Sequence, residues 1–192
     1  MRWTDKPWDK GGKYFPDSAY YSVFFLTKFV HNPKKDPEND QEQDGGWRNV
    51  FQFKSNNKAG SMPIVALDIY NNKNQMFFGL AIKDYPNDNS SNYNFEYIVQ
   101  NNPIPIKVND WNHIEMYYEK SKNYLGKVIV WLNNIKIFEK ENILTVLPPG
   151  ETAAWGIGNY TDFIKDGPVD GKATIYFDDA IVSKIKIRDY VI

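Results

Sequence analysis

The sequence predicts an all-β fold, an antiparallel β-sandwich with jelly-roll topology. Three observations carry this prediction. Aromatic residues make up 16% of the 192 residues, and aromatic and β-branched side chains favour pleated, half-buried strands. About a dozen short runs with strand patterning follow one another at regular spacing, as in sandwiches and barrels. No segment shows a sustained helical period with end caps.

The N-terminal half is predicted to alternate strands with polar loops. Residues 1–17 form an irregular lead-in, and residues 31–46 form a long polar loop that ends in Gly-Gly. The strands of this half are expected at residues 19–30, 47–54, 64–70, 75–82 and 95–100. Alternation is clearest in the second of these, WRNVFQFK, where Arg48, Gln52 and Lys54 share one face.

Residues 111–140 organise the C-terminal half as an antiparallel meander. Its runs at 112–118 and 127–132 are strongly β-patterned, and a polar turn separates them. Asn133-Asn134 tolerates positive φ, so a tight hairpin is expected there before a third run. The two closing strands are expected at residues 153–160 and 173–187.

Composition bounds the class of protein. We expect one domain over residues 1–192, because a chain of this length can bury a full core. A formal net charge of -1 indicates no strongly basic surface of the kind that binds nucleic acid. No apolar run approaches the ~20 residues of a membrane-spanning helix. Cysteine is absent, which excludes disulfides and thiolate chemistry. No signal peptide is recognised, so we expect a mature form or a domain of a larger protein.

Four segments together resemble the concanavalin-like jelly-roll superfamily. They are WRNVFQFK, WNHIEMYY, GKVIVWLNN, and WGIGNY with TIYFDDAIVS. The similarity extends over about residues 14–186 and is strongest to the polysaccharide-lyase and laminin-G-like branches. The resemblance implies that a glycan crosses the concave sheet, although a shared fold does not by itself establish function.

Side chains suited to sugar recognition recur on shared strand faces. Sugar rings stack their C–H faces on Trp and Tyr, and their hydroxyls bond to amides, carboxylates and amines. The predicted ligand-binding residues are Arg48, Gln52, Lys54, Asp68, Tyr70, Tyr117, Trp131, Asn133, Trp155 and Asn159. The alternative is that both tryptophans belong to the core, as most large aromatics of sandwiches do.

Non-catalytic binding of a polysaccharide on the concave sheet is therefore the first functional prediction. Lys54 and Arg48 favour an acidic polymer, and we expect an extracellular, secreted protein. The first alternative is a polysaccharide lyase that acts by β-elimination on a uronate. In this alternative Gln52 contacts the sugar carboxylate and Lys54 is the base. Tyr117, Tyr70 or Tyr160 is a second proton-transfer group. A laminin-G-like adhesion domain is the further alternative. A glycosidase is rejected because no strand carries a pair of suitably spaced carboxylates.

A structural calcium ion is also expected. The superfamily resemblance places a calcium-binding carboxylate at Asp178 or Asp179 in the closing strand. Asp179 has the same parity as Ile175 and Phe177, which are expected to face inward, so its charge would need a partner. A hard cation with oxygen ligands would supply one. A salt bridge or backbone N–H groups are the alternative partners.

Overall fold

The computed structural model describes residues 2–4, 16–28, 30, 48–57, 60–72, 75–85, 93–147, 153–161 and 174–187. These residues form eleven strands and no helix. The strands are β1 (Arg2–Thr4), β2 (Ser18–Thr27), β3 (Arg48–Asn57), β4 (Gly60–Asn72), β5 (Gln75–Asp84), β6 (Asn94–Val99), β7 (Trp111–Glu119), β8 (Gly126–Leu132), β9 (Ile135–Ile143), β10 (Ala153–Thr161) and β11 (Ile175–Ser183).

The strands pair into two antiparallel sheets that form a sandwich. The six-stranded sheet has the order β1-β10-β3-β4-β5-β6, and the five-stranded sheet has the order β11-β2-β7-β8-β9. The predicted meander is confirmed, because β7, β8 and β9 are consecutive neighbours. Asn133 and Asn134 have φ of 50° and 67°, the values that a two-residue hairpin turn requires.

The core lies between the sheets and is rich in aromatic rings. Phe53 of the six-stranded sheet stacks on Tyr118 of the five-stranded sheet, with ring centroids 3.8 Å apart. The Tyr21 ring meets Phe53 edge-on at 4.8 Å and Trp155 at 5.2 Å. Each ring of this size contributes roughly 1.5–3 kcal/mol when it is fully buried. Much of the unusual aromatic content therefore stabilises the contact between the sheets.

Two elements, one near each end of the chain, differ from the sequence prediction. Residues 2–4 pair with β10, so part of the predicted irregular lead-in is a strand. The last strand ends at Ser183 rather than continuing to 187. Residues 184–187 lie against the outer face of the five-stranded sheet, where the Ile187 amide donates to Glu115 Oε1 at 2.6 Å. The predicted polar loop 31–46 lies outside the described residues.

Candidate functional site

The predicted ligand-binding residues are divided among three places in the sandwich. In β3, Phe51 and Phe53 are fully buried in the core. Side chains alternate along a strand, so Gln52 and Lys54 face outward from the six-stranded sheet. Asp68 and Tyr70 of β4 lie on the same outer face. Four other predicted residues do not join them there: Tyr117, Trp131, Asn133 and Trp155.

Trp155 lies inside the sandwich, and the prediction that it lines a groove is wrong. It is only 1% exposed and contacts Tyr21 and Phe51, with ring centroids 5.2 and 5.4 Å away. The register sets it opposite Phe53, a core residue. The alternation of β10 thus directs Trp155 inward and turns Gly156 outward.

Trp131 and Tyr117 lie on the outer face of the opposite, five-stranded sheet. Tyr20 joins them there, with ring centroids 5.1 Å from Tyr117 and 6.2 Å from Trp131. The Lys186 ammonium sits 4.4 Å from the centre of the Trp131 ring. Because β7 and β8 belong to the opposite sheet from β3, these aromatics cannot share a ligand with Gln52, and the prediction that they line one groove with it is wrong.

Of the two predicted asparagines, Asn133 lies outside the outer face of the six-stranded sheet. Asn133 is a turn residue whose side-chain oxygen accepts the His113 amide proton at 2.8 Å. His113 itself is 5% exposed and bonds to Ser22 Oγ at 2.6 Å, as expected for a structural histidine. Asn159 belongs to β10, but its side chain lies outside the described residues.

Gln52 belongs to a transverse row of residues that runs across the strands on the outer face of the six-stranded sheet. The register aligns Gly156, Gln52, Ala66, Ala81 and Tyr97 on five neighbouring strands. The neighbours of Gln52 in this row, Gly156 and Ala66, carry no side chain or only a methyl group, so the Gln52 amide projects above them. We call the surface formed by the small residues of the row its floor. Tyr97 bounds this floor at the last strand.

The next row is polar and contains a buried carboxyl group. Asn49 lies opposite Asp68 on one side and Tyr160 on the other, and Asp68 lies opposite Gly79. Asp68 is 6% exposed, and its Oδ1 accepts no hydrogen bond from any residue that the structure describes. Burial raises the pKa of Asp68 to about 6, although a hydrogen bond from Asn49 acts in the opposite direction.

Tyr97 extends from β6 across Gly79 toward this carboxyl. A Cβ added to Gly79 would collide with the Tyr97 hydroxyl, so the ring can occupy this position only because residue 79 lacks a side chain. Burial, and then the negative charge of Asp68, raise the pKa of the Tyr97 hydroxyl well above its ordinary value. The hydroxyl therefore stays protonated and available as a donor.

Arg48 contributes a buried positive charge near this cluster. Its side chain is 1% exposed and donates to Asn71 Oδ1 at 2.5 Å. Burial lowers the pKa of Arg48 to about 10, so the guanidinium remains charged at neutral pH. Its charge in turn lowers the pKa of Tyr97, in opposition to Asp68.

Asp179 is not the inward-facing carboxylate on which the predicted calcium site depends. The register of β11 shifts after Asp178, and Asp179 has φ of 47°. Both side chains are exposed, so neither charge requires a buried partner. Within the described ranges no group of three or more His, Cys, Asp or Glu could hold a metal ion. The two carboxylates alone do not fit a calcium site, and calcium binding stays a prediction that melting with and without chelator can test.

Sequence reasoning missed Asn49 and Tyr97. Simple alternation along WRNVFQFK puts Asn49 on the same face as Phe51, which is the core face. A register shift at Val50 instead puts Asn49 on the outer face, beside Asp68. The sequence signal that could identify Tyr97 is its position in an alternating strand that pairs with the strand containing Gly79 and Ala81. That signal depends on knowing that the two strands are neighbours.

Comparison with solved structures places this arrangement in a known class of fold. Similar structures include a β-1,4-glucuronan lyase from the fungus Trichoderma reesei, with a TM-score of 0.65, 15% identity, and coverage of 96% of this chain and 80% of that one. An alginate lyase from Klebsiella pneumoniae has a TM-score of 0.58, 10% identity, and coverage of 87% and 60%. An alginate lyase from Pseudomonas aeruginosa has a TM-score of 0.54, 13% identity, and coverage of 88% and 65%.

The fold is thus a jelly-roll β-sandwich like that of these lyases, as the sequence predicted. The chain belongs to the polysaccharide lyase family, whose sequence profile matches residues 12–180. A search of curated proteins finds no significant match. No helix in the described part of the chain is long and apolar enough to cross a membrane.

Proposed function

We propose that this protein is a polysaccharide lyase that cleaves a uronate-containing glycan by β-elimination. The observation that carries the proposal is the position of Gln52 and Lys54 on the same outer face as the buried Asn49–Asp68 pair. Family membership favours this alternative over non-catalytic binding. The loss of Trp131 and Trp155 from the groove removes the main support for a binding module.

The reaction makes three demands on the site. A base removes the proton at C5 of the uronate, the C4–O bond breaks, and a C4=C5 double bond forms. The departing oxygen receives a proton, so the products together contain all the atoms of the substrate. Neutralising the uronate carboxylate acidifies the C5 proton, and an acid must reach the leaving oxygen.

We assign the carboxylate contact to Gln52 and the neighbouring polar row. The Gln52 amide can donate two hydrogen bonds, and it stands beside Gly156 and Ala66, which leave room for a sugar. Below its raised pKa of about 6, Asp68 is protonated and can donate a further bond. An ionised Asp68 would instead repel the substrate carboxylate.

Lys54 and Tyr160 are the proposed proton-transfer residues. Lys54 follows Gln52 by two positions on the same face, and its uncharged amine would accept the C5 proton. Tyr160 lies opposite Asn49 in the backbone register, on the strand that flanks Gln52. The phenol of Tyr160 would protonate the leaving oxygen. Tyr117, the predicted alternative, lies on the other sheet and cannot reach the same sugar.

A panel of acidic polymers tests the proposal. Glucuronan and alginate are the first substrates to try, because similar structures are lyases of those polymers. We expect the ultraviolet absorbance of the unsaturated product to rise with one of them and with no neutral glucan. If no polyuronate gives this absorbance while one still binds, the protein is a carbohydrate-binding module. The expected extracellular location stays a prediction.

A further inference from the structure

Strand β6 is the last strand of the six-stranded sheet and carries a line of exposed rings. Tyr93, just before the strand, is 44% exposed and Phe95 is 54% exposed. The alternation of the strand places both on the side of Tyr97, which is the outer face. From residue 93 to residue 97 the line is about 13 Å long, at the rise of an extended strand.

A lysine of the neighbouring strand lies over this line. The Lys83 ammonium is 4.7 Å from the centre of the Tyr93 ring and 5.6 Å from that of Phe95. Lys83 is opposite Phe95 in the register. No carboxylate of the described residues forms an ion pair with Lys83, so its charge can meet a ligand anion.

The line is continuous with the proposed active site. Gln52 and Tyr97 belong to the same transverse row, three strands apart, which corresponds to about 14 Å at the usual strand spacing. Ala66 and Ala81 lie between them, so no bulky side chain of this row separates the two ends. A chain of sugars that crosses the row from Gln52 therefore arrives at the rings of β6.

We propose that Tyr93, Phe95 and Lys83 form a binding subsite for uronate units remote from the cleaved bond. This inference rests on the proposed function for the identity of the polymer. A uronate offers a C–H face that stacks on an aromatic ring, and a carboxylate that pairs with an ammonium group. The juxtaposition of exposed rings with a cation matches both features of one sugar. A neutral glycan would use only the rings.

Substitution of Phe95 tests the subsite with little risk to the fold, because its side chain is exposed on an edge strand. We expect Phe95→Ala to raise the KM for long polyuronate chains about threefold to tenfold, the range of a lost ring-stacking contact. The kcat value and the KM for the shortest cleavable oligomer should not change. Lys83→Gln should weaken binding of the acidic polymer and reduce its dependence on salt.

Tyr176→Ala is the matched control. Tyr176 is 45% exposed and also lies under a lysine, with Lys28 5.3 Å from the ring centre, but it belongs to the five-stranded sheet. This variant should leave all constants unchanged. Equal effects of Phe95→Ala and Tyr176→Ala would overturn the subsite.

Calorimetric binding of the full chain to glucuronan separates this inference from the proposed activity. If Phe95→Ala weakens binding but no polymer is cleaved, the subsite stands and the lyase proposal fails. If cleavage is observed and Phe95→Ala behaves as wild type at every chain length, the lyase stands and the subsite fails. Self-association that Phe95→Ala abolishes, without any change in glycan binding, would identify the rings as a contact between copies and also overturn the subsite.

Discussion

Asp68 is a carboxyl group buried in the proposed site, and its burial has a pH-dependent effect on stability. The pKa rises from an ordinary value of 3.8 to about 6 in the folded protein. Between these values the unfolded chain is ionised at this residue while the folded protein still holds the proton. The free energy of unfolding therefore falls as pH rises from about 4 to 6, and the penalty persists above pH 6.

Replacing Asp68 with asparagine should stabilise the protein above pH 6. We expect Asp68→Asn to raise the free energy of unfolding by about 1–3 kcal/mol at pH 8, because the variant avoids burying a charge. The same substitution should preserve lyase activity at pH 8, because the asparagine amide still donates a hydrogen bond and lacks the charge that would repel the substrate carboxylate. Urea unfolding at pH 4 and at pH 8 measures the effect, which should vanish at the lower pH.

Asp178→Asn provides the control for this prediction. Asp178 is exposed, so Asp178→Asn should change the free energy of unfolding by less than about 0.5 kcal/mol at either pH. If Asp68→Asn keeps the wild-type pH dependence over this interval, the carboxyl is not protonated in the folded state.

Tyr97 and Tyr160 are expected to differ in their kinetic roles. Tyr160→Phe should reduce kcat roughly 100-fold or more, since it removes the proposed proton donor. Tyr97→Phe should reduce kcat less than about tenfold, because Tyr97 bounds the polar cluster and is not assigned a proton transfer. Initial rates of unsaturated product formation measure both variants. The reverse order would make Tyr97 the donor.

At the scale of elements, β5 and β6 depend on each other through Gly79. The Tyr97 ring occupies the space where a side chain at residue 79 would project. We expect Gly79→Ala to cost about 1–3 kcal/mol of stability, as is usual for an overpacked contact. In a Tyr97→Ala background the same substitution should cost almost nothing.

A double-mutant cycle measures this coupling. Ala66→Ser, on the adjacent strand, is a control for small changes to the floor of the row. Additive effects of Gly79→Ala and Tyr97→Ala would show that the ring does not lie over residue 79.

The sequence predicted most strands because alternation is a local property of the chain. Gln52 and Lys54 were correctly grouped, since two positions in one strand share a face. Alternation does not reveal which sheet a strand joins, so Tyr117 and Gln52 were placed together although they lie on opposite sides of the sandwich. The register shift between Asn49 and Phe51 also has no clear local signal, and it determines which residue accompanies Asp68.

In the whole molecule, the two outer faces have different roles. The outer face of the six-stranded sheet carries the polar row and the exposed rings of β6. Residues 184–187 pack against part of the outer face of the five-stranded sheet, where the Ile187 amide donates to the fully buried Glu115. The interior between the sheets holds Trp155 and the stacked rings of the core. Substitutions in these three places should therefore produce different combinations of stability and activity.

Three alanine variants test this division. Gln52→Ala should lose at least about 100-fold in kcat/KM, the scale of a lost contact to developing charge, and should melt like wild type. Glu115→Ala should lose about 1–3 kcal/mol of stability by leaving the Ile187 amide without its acceptor, and its folded fraction should keep full activity. Trp155→Ala should lose about 3–5 kcal/mol, as large core truncations do. Melting curves and rates normalised to the folded fraction measure all three. Because Trp155 is sealed between the sheets, a specific loss of substrate affinity in Trp155→Phe, with stability intact, would place the glycan on a different surface from the one proposed.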